Sequence, residues 1–280
     1  MGLFGRKNKN KNEENHTVPI EQQVNNKDEQ IDSTGSFAGF ALLSEPVWDK
    51  EQFISDLKEE WDIDISEQED NDENDMIYAD ACGFRIVIGL IPSPVPNGEA
   101  EHFAKANYMW KDAVDTVETH KAHLLICILG DDSDVMEKGR LFVKVASAAL
   151  RQENAIAFYS EGAVYEPEMY IKFSRMIKDD EIPILNLIWF GIYSDGKKAG
   201  IYTFGMRRFG KEEIEVYVDA DKADLGELRD FVLSVSVYVL DGDVTLKDGE
   251  TIGFSAEQKL PITVSKGIAV DGDTIKIDLG

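Results

Sequence analysis

His123-Leu124-Leu125-Ile126-Cys127-Ile128-Leu129 is a nearly unbroken apolar run. It has the length of a strand, and apolarity without alternation predicts burial on both faces. Upstream, Phe103, Ala106, Trp110, Ala113, Val114 and Val117 recur at helical spacing and predict one long helix over about 98–119. Met76–Ala81 and Phe84–Ile91 read as two strands turned at Cys82-Gly83, with Pro92, Pro94 and Pro96 ending the second. Farther back, Asp49 and Gln52 form a capping-box pattern ahead of Phe53, Ile54, Leu57 and Trp61, and Phe37–Leu43 reads as an apolar strand. The order is strand, helix, strand, strand, helix, strand, that of a ferredoxin-like βαββαβ unit.

The pattern continues downstream. Asp131-Asp132-Ser133 can cap a helix reaching about 151, and 155–159 reads as a strand. Pro167 suits the first turn of a helix to 178, and 184–193 reads as a central strand. Strands over 199–204 and 213–218 precede a last helix over 224–240. Asp248-Gly249 and Asp271-Gly272 signal C-terminal hairpins, with short strands over 262–264, 268–270 and 274–277. The predicted class is α+β: a ferredoxin-like βαββαβ start, further α/β elements and C-terminal β-hairpins, with a mixed sheet covered by helices. Residues 1–34, rich in Asn, Lys, Glu and Gln, read as a disordered polar tail. Residues 35–280 read as a single α+β domain, with a division into halves 35–130 and 131–280 as the alternative. The acidic stretch 66–75 reads as a loop, and it lacks the glycine that a calcium loop needs.

Charge narrows the function classes. The 280 residues carry 54 acidic against 29 basic side chains, a net −25 at pH 7. That argues against nucleic acid and against an anionic membrane surface as partners. No apolar run is long enough for a membrane span, and the basic start Met1-Gly2-Leu3-Phe4-Gly5-Arg6-Lys7 has no apolar segment behind it. Arg6 stands where a myristoylation signal has Ser or Thr. These features predict a cytoplasmic protein. Cys82 and Cys127 read as two small buried hydrophobes rather than a disulfide framework.

No phosphate-binding glycine loop and no Gly-x-Ser-x-Gly pattern occurs. His120 and His123 form an H-x-x-H pair, but His102 would lie about 27 Å from His120 along a straight helix. The pair therefore reads as a helix-terminal cation and the opening residue of a strand, with no metal. Asn97 reads as a helix cap, with Glu99 and Glu101 at the positive end of that helix. The same rigid loop, together with Asn107, Tyr108 and Trp110, reads alternatively as a recognition surface. Glu166, in Tyr165-Glu166-Pro167-Glu168, repeats the theme of aromatic, acid and proline at a helix start. Asn186, in an apolar run, needs a hydrogen-bond partner if buried. The candidate binding residues are thus Asn97, Glu99, Glu101, Asn107, Tyr108, Trp110, His120, His123 and Glu166. No catalytic residue, metal or cofactor is assigned.

Several blocks resemble a known family: Phe40-Ala41-Leu42-Leu43-Ser44-Glu45, Pro94-Val95-Pro96-Asn97-Gly98-Glu99-Ala100-Glu101, Asn107-Tyr108-Met109-Trp110, His120-Lys121-Ala122-His123-Leu124, Asn186-Leu187-Ile188-Trp189-Phe190-Gly191 and Thr245-Leu246-Lys247-Asp248-Gly249-Glu250-Thr251-Ile252-Gly253. Together they look like the bacterial domain of unknown function 4261, from about Phe37 to the C-terminus. The resemblance implies a cytoplasmic bacterial α+β protein and brings no catalytic residues. The preferred functional expectation is a non-enzymatic binding or interaction protein, of an adaptor, stress or immunity-like kind, whose acidic surface meets a basic protein partner. The alternative is a small-molecule enzyme or hydrolase using Glu99, Glu101, Glu166, His120 or His123 in a cleft. A homo-oligomer built on an edge strand near the C-terminal hairpins is a third reading.

Overall fold

Two sheets carry the fold of the computed structural model, which describes residues 33–65, 70–71, 75–253, 255 and 257–279. The predicted tail, apart from its last two residues, and most of the acidic stretch 66–75 lie outside these residues. The first sheet contains β1 (Phe37–Leu43), β2 (Asp70–Asn71), β3 (Met76–Ala81), β4 (Phe84–Ile91), β5 (Ala122–Leu129), β6 (Ala155–Ser160) and β7 (Ala163–Tyr165). Its spatial order is β2-β3-β4-β5-β1-β6-β7, with every neighbouring pair antiparallel. The second sheet contains β8 (Trp189–Ser194), β9 (Lys198–Phe204), β10 (Glu213–Asp219), β11 (Thr251–Ile252), β12 (Leu260–Lys266) and β13 (Asp273–Ile277). Its order is β11-β12-β13-β10-β9-β8, parallel only between β10 and β13.

Helices cover these sheets, as expected for an α+β chain. On one face of the first sheet, Leu124, Ile126 and Ile128 share a core with Phe53 and Leu57 of α1 (Lys50–Trp61) and with Phe142 and Val145 of α4 (Val135–Ala149). On the other face, Leu42, Ala157, Tyr159 and Val164 pack with Ala100 and Ala104 of α2 (Glu99–Ala104) and Ala113 and Val117 of α3 (Ala113–Val117). The short α5 (Pro167–Ser174) and α6 (Ile184–Leu187) lead into the second sheet. There α7 (Leu225–Asp241) sets Val232 and Val235 against Ile201, Ile214 and Val216. Among the described residues no helix is long and apolar enough to cross a membrane.

The departures from expectation have local causes. The ferredoxin-like start is not confirmed. That arrangement would place β1 between β4 and β5, whereas β5 lies between β1 and β4. The most apolar strand thus takes the central position. Its burial is nevertheless one-sided toward its end, where Cys127 is half-buried and Leu129 is 51% exposed. Cys82 is exposed rather than buried, because it occupies the β3–β4 turn at φ 52° beside Gly83 at φ 81°.

The predicted helix over 98–119 is two short helices. Asn107 breaks it by accepting hydrogen bonds from the backbone N–H groups of Met109 and Trp110 (2.9 and 3.0 Å), which a continuing helix would need. The predicted central strand over 184–193 begins as the helical turn α6 after Pro183, and its strand portion, β8, is an edge. Residues 268–270 form a loop because the buried Glu215 carboxylate accepts from the backbone N–H groups of Ile268 and Ala269.

Candidate functional site

A cleft of about 190 Å³ opens where the loop after α2, the β7–α5 junction, the α6–β8 segment and α7 meet. Asn107 builds its first wall. Besides holding its own turn, it donates from Nδ2 to the Val164 carbonyl (2.8 Å), fastening the loop to β7. Tyr108 fastens the same loop to the second sheet by donating its hydroxyl to the Phe190 carbonyl (2.7 Å). Its ring stands 5.5 Å from that of Trp189, and Tyr165 meets Trp189 edge-on at 6.2 Å. Such tilted aromatic contacts fix ring positions as well as bury area. Tyr108 (39% exposed) and Met109 (36% exposed) form an apolar mouth.

The polar inventory of the lining is short. Apart from tyrosine hydroxyls and indole N–H groups it comprises Asn107, Glu166 and Arg229, with no histidine, cysteine, serine or lysine. Glu166 precedes Pro167 at the start of α5, but its side chain makes no capping hydrogen bond. Arg229, on α7, has a guanidinium nitrogen 3.2 Å from the Asp230 carboxylate. Burial pushes the Tyr108 hydroxyl pKa up, and Arg229 opposes that rise. Burial likewise raises those of Tyr165 and Tyr170, leaving neutral phenols at neutral pH.

The structure thus brings Asn107, Tyr108, Trp110 and Glu166 into one cleft; Asn97, Glu99, Glu101, His120 and His123 do not line it. Asn97 is exposed at φ 62°, and Gly98 rather than Asn97 precedes α2, without a side-chain cap. The Tyr159 hydroxyl is pushed far up in pKa, mainly by burial and then by its hydrogen bond with Glu99. Glu101 Oε1 lies 3.7 Å from His120 Nδ1, while Glu101 Oε2 is buried without a hydrogen-bond partner among the described residues.

Both histidines hold the proline-rich segment. The Val95 N–H donates to His120 Nε2 (2.9 Å), and His120 Nδ1–H donates to the Val117 carbonyl (2.6 Å). Those partners set the neutral Nδ1–H tautomer and use both ring nitrogens. His123 Nδ1–H donates to the Ser93 carbonyl (2.9 Å), and its ring meets Phe40 edge-on at 5.1 Å. Burial is the main cause of its lowered pKa. Among the described residues no group of three or more His, Cys, Asp or Glu could hold a metal ion.

Asn186 also has a structural setting: its Nδ2 donates to the Tyr170 carbonyl (2.8 Å), although its Oδ1 is buried without a hydrogen-bond partner among the described residues. The cleft residues absent from the candidate set come from distant segments. Tyr165 neighbours Glu166, and Trp189 follows Asn186 closely. Arg229 and Leu233 share a face of α7 four residues apart, a spacing that marks one helix face without revealing what lies opposite.

No curated protein and no solved structure matches this chain. A family model matches residues 202–278, which include Arg229 and Leu233 but not the cleft residues from Asn107 to Phe190. That match, over residues 202–278, is to the domain of unknown function DUF4261, the family that the sequence blocks resemble.

Proposed function

We propose that this chain is a non-enzymatic binding protein that takes up its ligand in the aromatic cleft. The lining carries the proposal: packed aromatic rings on a loop held by the hydrogen bonds of Asn107 and Tyr108, few polar groups, and none of the nucleophile–base pairs that covalent catalysis uses. The competing reading as a Glu/His hydrolase has Glu166 in the cleft, while His120 and His123 are engaged with backbone groups elsewhere. The exposed Tyr108 and Met109 give a protein partner an apolar contact beside the occupied cleft. The net charge of −25 favours a basic partner by speeding encounter. This is an adaptor or immunity-like arrangement. Two free cysteines, one of them exposed, support a reducing, cytoplasmic setting.

A neutral ring-sized probe tests the site. On titration with 4-fluorobenzyl alcohol, the fluorine signal should broaden saturably with the native chain. The broadening should disappear with Met169→Trp, whose larger side chain fills the space. Equal broadening with both proteins, or none with either, would refute the proposal.

A further inference from the structure

Resting on that reading of the cleft, we infer that its ligand is a small zwitterion with a ring-sized apolar body, the chemistry of an aromatic α-amino acid. Besides the buried Tyr170 hydroxyl, which has no hydrogen-bond partner among the described residues, polar groups of Glu166, Trp189 and Arg229 remain available in the lining. The Glu166 carboxylate has no hydrogen-bond or ion-pair partner among the described residues. The Trp189 indole N–H has no acceptor there, although the residue is only 7% exposed. Arg229 engages Asp230 at 3.2 Å through one nitrogen and also interacts with the Tyr108 hydroxyl, and the rest of its five guanidinium donors remain for a ligand. By contrast, the Asn107 side chain and the Tyr108 hydroxyl already have partners.

The cleft therefore offers one anion, one cation and neutral donors that include the Trp189 N–H and the Tyr170 hydroxyl around an aromatic interior. A ligand with a single charge would satisfy one of these groups and desolvate the other, at a cost. A ligand bearing an ammonium and a carboxylate satisfies both: the ammonium meets Glu166, and the carboxylate meets Arg229 and the Trp189 N–H. Its apolar body then lies among Tyr108, Tyr165 and Trp189. The volume suits such a body, since about 190 Å³ exceeds the roughly 150 Å³ of an apolar cavity that holds benzene.

Calorimetric titration with three probes of one skeleton tests the inference: L-phenylalanine, phenethylamine with only the cation, and 3-phenylpropionate with only the anion. Phenylalanine should bind at least about tenfold more tightly than either analogue, the value of one charged hydrogen bond. Glu166→Gln should erase its advantage over 3-phenylpropionate, and Arg229→Gln its advantage over phenethylamine. Should a variant fail to fold, the ranking of the probes on the native chain decides. Equal affinities, ratios unchanged in folded variants, or no binding of phenylalanine would overturn the inference. Saturable 4-fluorobenzyl alcohol binding alongside any of these results would leave the cleft itself standing as a binding site.

Discussion

Glu60→Gln should destabilise the protein at neutral pH by about 1–2 kcal/mol, and the loss should fade in acid. Glu60 lies on α1 and is 16% exposed. It accepts from Lys178 Nζ at 2.6 Å and Arg151 Nη1 at 2.9 Å, with Arg175 Nε at 3.4 Å. Lys178 also stands 5.4 Å over the Trp61 ring. One carboxylate thus links the first helix to two later segments. The Lys178 hydrogen bond is the largest cause of its lowered pKa; burial opposes it, Arg151 adds to it, and the carboxyl falls from 4.5 to about 2.

Taken in full, such a drop corresponds to about 3.4 kcal/mol. Lys178 and Arg175 are 47% and 54% exposed, so solvent screening reduces the expected value to about 1–2 kcal/mol. The contribution is complete above the unfolded carboxyl's value of 4.5 and is lost as pH falls toward about 2. It should therefore shrink by about half between pH 5 and pH 3. Urea denaturation of both proteins at these pH values and at neutrality, in low and high salt, measures the difference. A gap that stays constant into acid, or none at neutral pH in low salt, would refute the reasoning.

Other substitutions probe other joints. Asn107→Ala removes three hydrogen bonds and should cost about 2 kcal/mol in urea unfolding, while weakening 4-fluorobenzyl alcohol binding by loosening the loop. The lowered pKa of His123 means that the unfolded chain takes up that proton first. Stability should therefore fall as pH drops below the ordinary histidine value of 6.5, and His123→Gln should flatten that slope in urea midpoints. Gly200→Ala would set a Cβ 2.0 Å from the Val216 carbonyl oxygen, forcing β9 and β10 apart. A cost of about 1–3 kcal/mol should appear as a lowered melting temperature.

Local chemistry made much of the chain readable. Asp224 accepts from the backbone N–H groups of Gly226 and Glu227, so the last helix begins where its capping residue says it should. Asp49 does the same for α1 through the Gln52 N–H. Legibility ended where a side chain competed with regular structure or where pairing was nonlocal. The apolar spacing over 98–119 hides the fact that Asn107 takes over two backbone donors. The character of β5 shows that it is central but not that β1 lies on one side of it and β4 on the other. Asn107, Tyr108, Trp110 and Glu166 were readable as site candidates because loops and helix starts leave polar and aromatic groups available. His120 and His123 looked equally suitable, since a sequence does not show that Val95 and Ser93 return to engage them. Trp189 and Arg229 required the meeting of the two sheets to become part of the same cleft.

The four tryptophans provide the most direct test of the central claim that this cleft is the binding site. The indole N–H of Trp48 donates to Asp75 (2.9 Å) and that of Trp61 to Ser147 (3.0 Å), whereas Trp110 and Trp189 line the cleft. In a nitrogen-15 heteronuclear spectrum with the four indole signals assigned, titration with 4-fluorobenzyl alcohol should move those of Trp110 and Trp189 saturably and leave those of Trp48 and Trp61 in place. Movement confined to Trp48 or Trp61, equal movement of all four, or no movement up to the solubility of the probe would contradict the account.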